Sequence, residues 1–154
     1  MLDDNWIPPH SHDPNPVPPN NDPALMLHTG SEIVRLTPYE LASFPQFMLP
    51  HCYIVSTGHG TTGPFTFQGV RIIDLVTRYA KFGWTRVDII SGDGFATRLL
   101  RRALETMGDR PAILALMING RPLRRDEGLV RLVVPDEKED ALQQVKWVSE
   151  ICVH

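Results

Sequence analysis

Half of the chain's 14 prolines lie within its first 23 residues, and this limits where a folded domain can begin. Proline fixes φ and has no backbone N–H, so such a segment forms neither a regular helix nor a central strand. Asn and Asp fill the gaps between the prolines. We therefore predict an extended or disordered tail over residues 1–30 and one domain over residues 31–154.

The rest of the chain combines short β-branched runs with short helical patterns. Thr37, Pro38 and Glu40 form the signature of a capped helix start, and Pro45 ends that helix. Apolar residues at helical spacing predict a second helix at 72–82, and a third is predicted at 100–107. Strands are predicted at 32–36, 47–56, 65–67, 86–91, 95–99, 112–118, 131–134 and 145–153, with turns at 68–69 and 92–94. Residues 112–118 also fit a helix, but the Asn119-Gly120 turn that follows favours a strand.

The order of these elements predicts an α+β domain with a mixed, mostly antiparallel sheet and short helices. The helices do not alternate regularly with the strands, as a doubly wound sheet would require. In the last strand, one face is expected to carry Val145, Trp147, Ser149, Ile151 and Val153, and the other Lys146, Val148, Glu150 and Cys152. Because strand side chains alternate between faces, we expect Trp147 to be buried and Lys146 to point to the opposite face.

Composition excludes several classes of protein. Apolar residues make up 42% and charged residues 21% of the 154, values typical of a globular chain. No apolar run approaches the length of a membrane helix, and MLDDNWIPPH lacks the pattern of a secretory signal. We therefore expect a cytoplasmic protein with no membrane partner and with free thiols at Cys52 and Cys152. The net charge of −3 gives no reason to expect nucleic acid as a partner.

Two loops carry residue types that suit binding. The segment TGHGTTG at 57–63 lacks the Lys-Ser/Thr ending of a nucleotide-binding P-loop, yet glycines allow backbone N–H groups to approach an anion. His59 in this loop is either a donor or metal ligand, or a partner for its own loop. Asp93 lies between two glycines and is either a turn former or a site residue.

Five segments together resemble the molybdopterin-binding domain of sulfite-oxidase-like oxidoreductases. They are GPFTFQGVRIIDLV at 63–76, SGDGF at 91–95, MINGRPL at 117–123, RLVVP at 131–135 and VKWVSEICV at 145–153. The resemblance implies that family's α+β fold, a cleft for a pterin that chelates molybdenum, and oxygen-atom transfer at the metal. The cofactor-binding residues it implies are Ser56, Thr57, Gly58, His59, Asp93, Arg98 and Lys146. Of these, Ser56, His59, Asp93 and Arg98 are expected to surround one cleft.

This sequence departs from the family at the metal ligand. The family uses a Cys at the position that falls here on Ser56, or on Val55 with a one-residue slip. Cys52 lies four residues earlier, roughly 13 Å along an extended strand, and so cannot replace it. Ser56 is left either as an alkoxide ligand to the metal or as an ordinary hydroxyl.

A second departure lies at residues 136–140, where DEKED stands in place of the family's Gly- and Lys-containing loop. Four acidic side chains there would repel a pterin phosphate. Two functions therefore remain open. One is a molybdopterin-binding, oxidoreductase-like protein whose cofactor is a molybdenum pterin. The other is a non-catalytic relative that uses the same cleft for another small anion or for a protein partner.

Overall fold

The structure is a computed structural model, and it describes residues 22–56, 60–135 and 145–154. Its first sheet has five strands in the order β2-β1-β10-β5-β6. These strands are β1 (Leu25–Thr29), β2 (Glu32–Leu36), β5 (Arg86–Ser91), β6 (Ala96–Leu100) and β10 (Val148–Val153). The β1–β10 pair is parallel and the other pairs are antiparallel.

The second sheet has the order β3-β4-β7-β8, with β9 also paired to β7. Its strands are β3 (Phe47–Ser56), β4 (Gly60–Arg71), β7 (Ile113–Ile118), β8 (Arg121–Pro122) and β9 (Arg131–Val133). All pairs in this sheet are antiparallel. The predicted α+β class with mixed, mostly antiparallel strands is therefore confirmed, although the strands form two sheets.

Within the described ranges, the sheets are accompanied by three short α-helices: α1 (Pro38–Ala42), α2 (Ile72–Tyr79) and α3 (Arg101–Glu105). The predicted capping box begins α1, where Thr37 Oγ1 accepts from Glu40 N at 3.2 Å. Helix α2 ends three residues before the predicted boundary. No helix in the described part of the chain is long and apolar enough to cross a membrane.

One apolar core joins both sheets to α2. It includes Leu27 and Ile151 of the first sheet, Leu114 of the second and Leu75 of the helix, all with no exposed surface. A smaller cluster around Phe67 and Ile113 lies on the other face of the second sheet. Because β7 side chains alternate between these two clusters, the strand reads as a continuous apolar run.

Strand β1 corrects the prediction that residues 1–30 are all tail. It lies inside the first sheet between β2 and β10, and Leu25 and Leu27 are fully buried. The segment LMLHT has only five residues and closely follows the last proline of the tail. Its period-two pattern was therefore too short to predict a strand. Residues 1–21 of that tail lie outside the described residues.

Gln68-Gly69 is also not a turn but part of β4, at a shift in its register with β7. A Cβ at Gly69 would lie 1.8 Å from the carbonyl oxygen of Leu114. The close approach of the neighbouring strand β7 therefore explains the glycine at position 69. From the sequence alone, this glycine was predicted to form a turn.

Candidate functional site

Trp147 connects three segments by hydrogen bonds. Its backbone N–H donates to Gly128 O at 3.0 Å, and its carbonyl accepts from Gly92 N at 2.9 Å. Its indole Nε1–H donates to the carbonyl of Arg125. The start of β10, the β5–β6 turn and the 3₁₀ segment Arg125–Glu127 are thereby held together.

The predicted alternation around Trp147 is half right. The side chain is buried, as expected, with 7% of its surface exposed. However, its φ is +50°, and β10 begins only at Val148. Lys146 therefore does not point to the opposite face: its Nζ lies 5.4 Å from the centre of the Trp147 ring, a cation–π contact.

The turn at Gly92-Asp93-Gly94 is fixed by short-range hydrogen bonds. Ser91 Oγ donates to the carboxylate of Asp93, and Phe95 N donates to Ser91 Oγ at 3.2 Å. Asp93 thus has the turn-forming role that its position between glycines indicated. The negative charge of Asp93 also interacts with Lys146 and opposes the lowering of the lysine's pKa that burial causes.

Lys146, Arg131, Asp93 and Asp126 form a set of interacting charges that we call the Lys146 cluster. Burial lowers the pKa of half-buried Lys146, the nearby charge of Arg131 lowers it further, and Asp126 and Asp93 oppose the shift. Arg131 is 4% exposed, and burial lowers its pKa to about 10. Two partly desolvated cations therefore repel each other at this point, and a bound anion would relieve that repulsion.

The loop that carries the 3₁₀ segment is organised by Glu127. Its two carboxylate oxygens accept from Arg121 Nη1 and Nη2, each at 2.7 Å, and Oε1 also accepts from Arg124 N at 2.9 Å. The hydrogen bond from Arg121 is the main cause that lowers the pKa of Glu127 to about 2. The carbonyl of Glu127 accepts from Arg131 Nη1 at 3.2 Å, which connects this loop to the Lys146 cluster.

The structure brings together only some of the predicted site residues. Asp93 and Lys146 belong to one cluster. For Ser56 the backbone alone is described; it ends β3 opposite Gly60, in the other sheet from Asp93. Thr57, Gly58 and His59 lie outside the described residues, so the cleft predicted around Ser56, His59, Asp93 and Arg98 stays a prediction for its β3–β4 side.

Arg98 forms an ion pair with a buried carboxylate, and its part in the predicted cleft stays a prediction. It pairs across the β5–β6 ladder with Asp88, whose carboxylate has no exposed surface. Arg98 Nε donates to Asp88 Oδ1 at 2.6 Å and Nη2 donates to Oδ2 at 3.1 Å. A buried carboxylate needs a matched cation, so this pair has a structural explanation away from the Lys146 cluster.

Arg125, Arg131 and Trp147 are the residues that sequence reasoning did not select. Arg131 and Trp147 lie in the segments RLVVP and VKWVSEICV that carry the family resemblance, and Arg125 lies two residues after the segment MINGRPL. The sequence did not reveal that Trp147 would bring Lys146 and Arg131 to the same place, because that depends on hydrogen bonds between distant segments.

The described residues fit part of a molybdenum pterin. The cations of the Lys146 cluster suit a phosphate, whereas no thiol lies at the described end of β3. Cys52 is buried within β3, with Sγ directed at the Leu49 carbonyl at 3.5 Å, and Cys152 is in the first sheet. The cavity beside Trp147 measures about 30 Å³, which is too small to enclose a pterin.

Comparisons with known proteins identify the family and the fold. Residues 32–154 match the family model of the oxidoreductase molybdopterin binding domain. The sulfane dehydrogenase SoxCD from Paracoccus pantotrophus shares the fold, with a TM-score of 0.65 and 18% identity over 85% of this chain and 38% of that one. The search of curated proteins found no match. The chain spans well under half of the SoxCD chain, and by its match over most of its length it belongs to the oxidoreductase molybdopterin binding domain family.

Proposed function

We propose that this protein binds a molybdopterin through the Lys146 cluster and holds it without a protein thiolate on the metal. The observation that carries the proposal is the pair of neighbouring cations, Lys146 and Arg131, in a family that binds an anionic pterin. Arg131 is buried and held by Glu127, so it offers a fixed positive charge. Lys146 is only half-buried and supplies the donor that faces solvent.

The chain's own residues would then bind and orient the pterin phosphate. Trp147 fixes Lys146 beside the Gly92–Gly94 turn, and the Arg121–Glu127 pair fixes the loop that carries Arg125. When bound, the molybdenum pterin supplies oxygen-atom transfer chemistry. Ser56 at the family's ligand position offers a hydroxyl, a harder and less acidic ligand than a thiol, so we infer that the centre would lack the family's redox tuning.

The test is expression in a host that makes the molybdenum cofactor, followed by measurement of pterin and molybdenum per folded chain. Wild type should retain pterin, and Lys146→Ala should lose most of it, while circular dichroism shows the same fold. Lys81→Ala is the matched control, because Lys81 lies after α2 and bonds only weakly, to Thr77 O at 3.4 Å. Equal pterin content in all three proteins, or none in wild type, would refute the proposal.

A second candidate function is binding of a different small anion at the same cations, without a pterin. The four acidic residues at 136–140 favour it, because they disfavour a ligand that extends toward that segment. Titration of inorganic phosphate and of adenosine monophosphate into the purified chain separates the two. Micromolar binding of either probe by a chain that never retains pterin would support this candidate.

A further inference from the structure

A second cavity lies on the outer face of the first sheet, away from the Lys146 cluster. It measures about 480 Å³, and its lining residues are His28, Gly30, Phe82, Ile90, Glu150, Cys152, Val153 and His154. The Lys146 cluster lies before β10, whereas the cavity is lined by Glu150, Cys152 and Val153 of that strand, the nearest of which is four residues or roughly 13 Å along an extended strand from Lys146. A ligand bound here would therefore not touch the proposed pterin site.

Strand register explains why polar groups meet at this cavity. Cys152 of β10 lies between His28 of β1 and Asp88 of β5, and Glu150 lies on the same face two residues earlier. His28 Nε2 is 3.3 Å from Glu150 Oε1, and His154 Nε2 is 3.0 Å from Asp88 Oδ2. Each imidazole thus has one nitrogen at a carboxylate and a second nitrogen left as an acceptor when the ring is neutral.

The charge of the lining is negative. Burial, with the charges of Glu150 and Asp88, raises the pKa of Cys152 to about 11, so the thiol is neutral at physiological pH. The charge of Asp88 is paired with that of Arg98, and Arg98 does not line the cavity. Glu150, whose side chain is 45% exposed, is left as the accessible charge and lies beside His28.

Part of the cavity lining is apolar. Phe82 is 43% exposed, although large aromatic side chains are usually buried, and Ile90, which pairs with Glu150 across the β10–β5 ladder, and Val153 also line the cavity. The volume is far larger than a metal ion needs, and the described residues assemble no group of three or more metal-ligating side chains. The lining therefore suits a molecule with a positive group at one end and an apolar body at the other.

We propose that this cavity binds a small organic ammonium ion, with the ammonium on Glu150 and the apolar body against Phe82. The ammonium would donate to Glu150 and to the acceptor nitrogen of His28, and the ring of Phe82 would add apolar contact with the body of the ligand. This site is independent of the pterin and of the proposed function.

The test uses 2-phenylethylamine as the probe, titrated into the full chain by calorimetry and followed by NMR. Wild type should bind 2-phenylethylamine, and binding should change the NMR chemical shifts of His28 and Glu150. The variants Glu150→Gln and Phe82→Ala should each weaken binding about ten-fold or more. Two controls should bind like wild type: Glu105→Gln, which removes an exposed carboxylate on α3, and Lys146→Ala, which alters the other cluster.

Two uncharged or anionic analogues complete the experiment. 2-Phenylethanol and 3-phenylpropionate have the same ring and should bind about ten-fold more weakly or not at all, because they lack the positive charge. Equal binding of all three compounds, or no binding of the amine, would overturn the proposal. Tight binding of Zn²⁺ that depends on Cys152, with no binding of the amine, would also overturn it in favour of a metal site.

Discussion

Gly128 packs against Lys146 so closely that a Cβ at position 128 would lie 3.1 Å from both Cβ and Cγ of Lys146. The same glycine has φ of +108° and accepts the backbone hydrogen bond of Trp147. The conformation of this one residue therefore sets the position of the lysine in the proposed pterin site.

Gly128→Ala should lower both stability and pterin retention. The left-handed backbone costs a non-glycine residue about 1–2 kcal/mol, and the new methyl group must displace Lys146. Urea unfolding measures the first effect, and pterin per folded chain measures the second. Gly83→Ala is the control, because a Cβ at Gly83 meets nothing within 4 Å; it should change neither quantity. Wild-type pterin content in Gly128→Ala would show that Lys146 is not the binding group.

Because Asp88 of the Asp88–Arg98 pair is buried, replacing Asp88 should lower the free energy of unfolding much more than replacing Asp74, which is in a partly exposed pair. Asp88→Asn removes the buried carboxylate and leaves the charge of Arg98, whose side chain is 22% exposed, without its match; this should cost about 3 kcal/mol. Asp74→Asn breaks a partly exposed pair with Arg71 at 2.7 Å and should cost about 0–1 kcal/mol. Chemical denaturation of both variants checks the contrast. Equal costs would mean that Asp88 is not the structural partner inferred for Arg98.

Glu127 predicts a loss of stability in acid. Its pKa is lowered from about 4.5 to about 2 in the folded chain, so its contribution is present above about 4.5 and is lost as pH falls toward 2. Arg121→Ala removes the main cause of the lowered pKa and should reduce this dependence of unfolding free energy on pH. Lys81→Ala, which removes an exposed cation elsewhere, should leave it as in wild type. Identical curves for the two variants would contradict the role given to Arg121.

The sequence was most informative where local chemistry decides structure. The bounds of β3 and the capping box of α1 are both as predicted, because a β-branched run and the Thr37–Glu40 pair act within a few residues. The β5–β6 turn is also as expected, since Ser91 and Asp93 make its hydrogen bonds locally. Such elements need no information about the rest of the fold.

The sequence did not predict features that depend on contacts with segments distant in the chain. Gly69 is needed because Leu114 crosses beside it, 45 positions later in the chain. The pairing of Arg98 with Asp88 was not predicted, because sequence alone does not show that Asp88 lies opposite Arg98 and is buried. The role of Lys146 in cofactor binding stays a prediction, and its contact with Trp147 follows from a positive φ at Trp147 that the alternating pattern does not indicate.

Ser56 gives the last prediction, which concerns chemistry. We expect no sulfite oxidation or sulfoxide reduction by the wild-type chain, even when it is loaded with molybdenum pterin, because a hydroxyl replaces the thiolate at the family's ligand position. Ser56→Cys should raise the thiolate content of the metal site, which X-ray absorption detects as an added metal–sulfur distance, and Ser56→Ala should not. Thr66→Cys, on β4, is the control for a thiol placed elsewhere. Turnover by wild type, or equal metal spectra for Ser56→Cys and Thr66→Cys, would show that position 56 is not the ligand position and that the family motif has been placed wrongly on this chain.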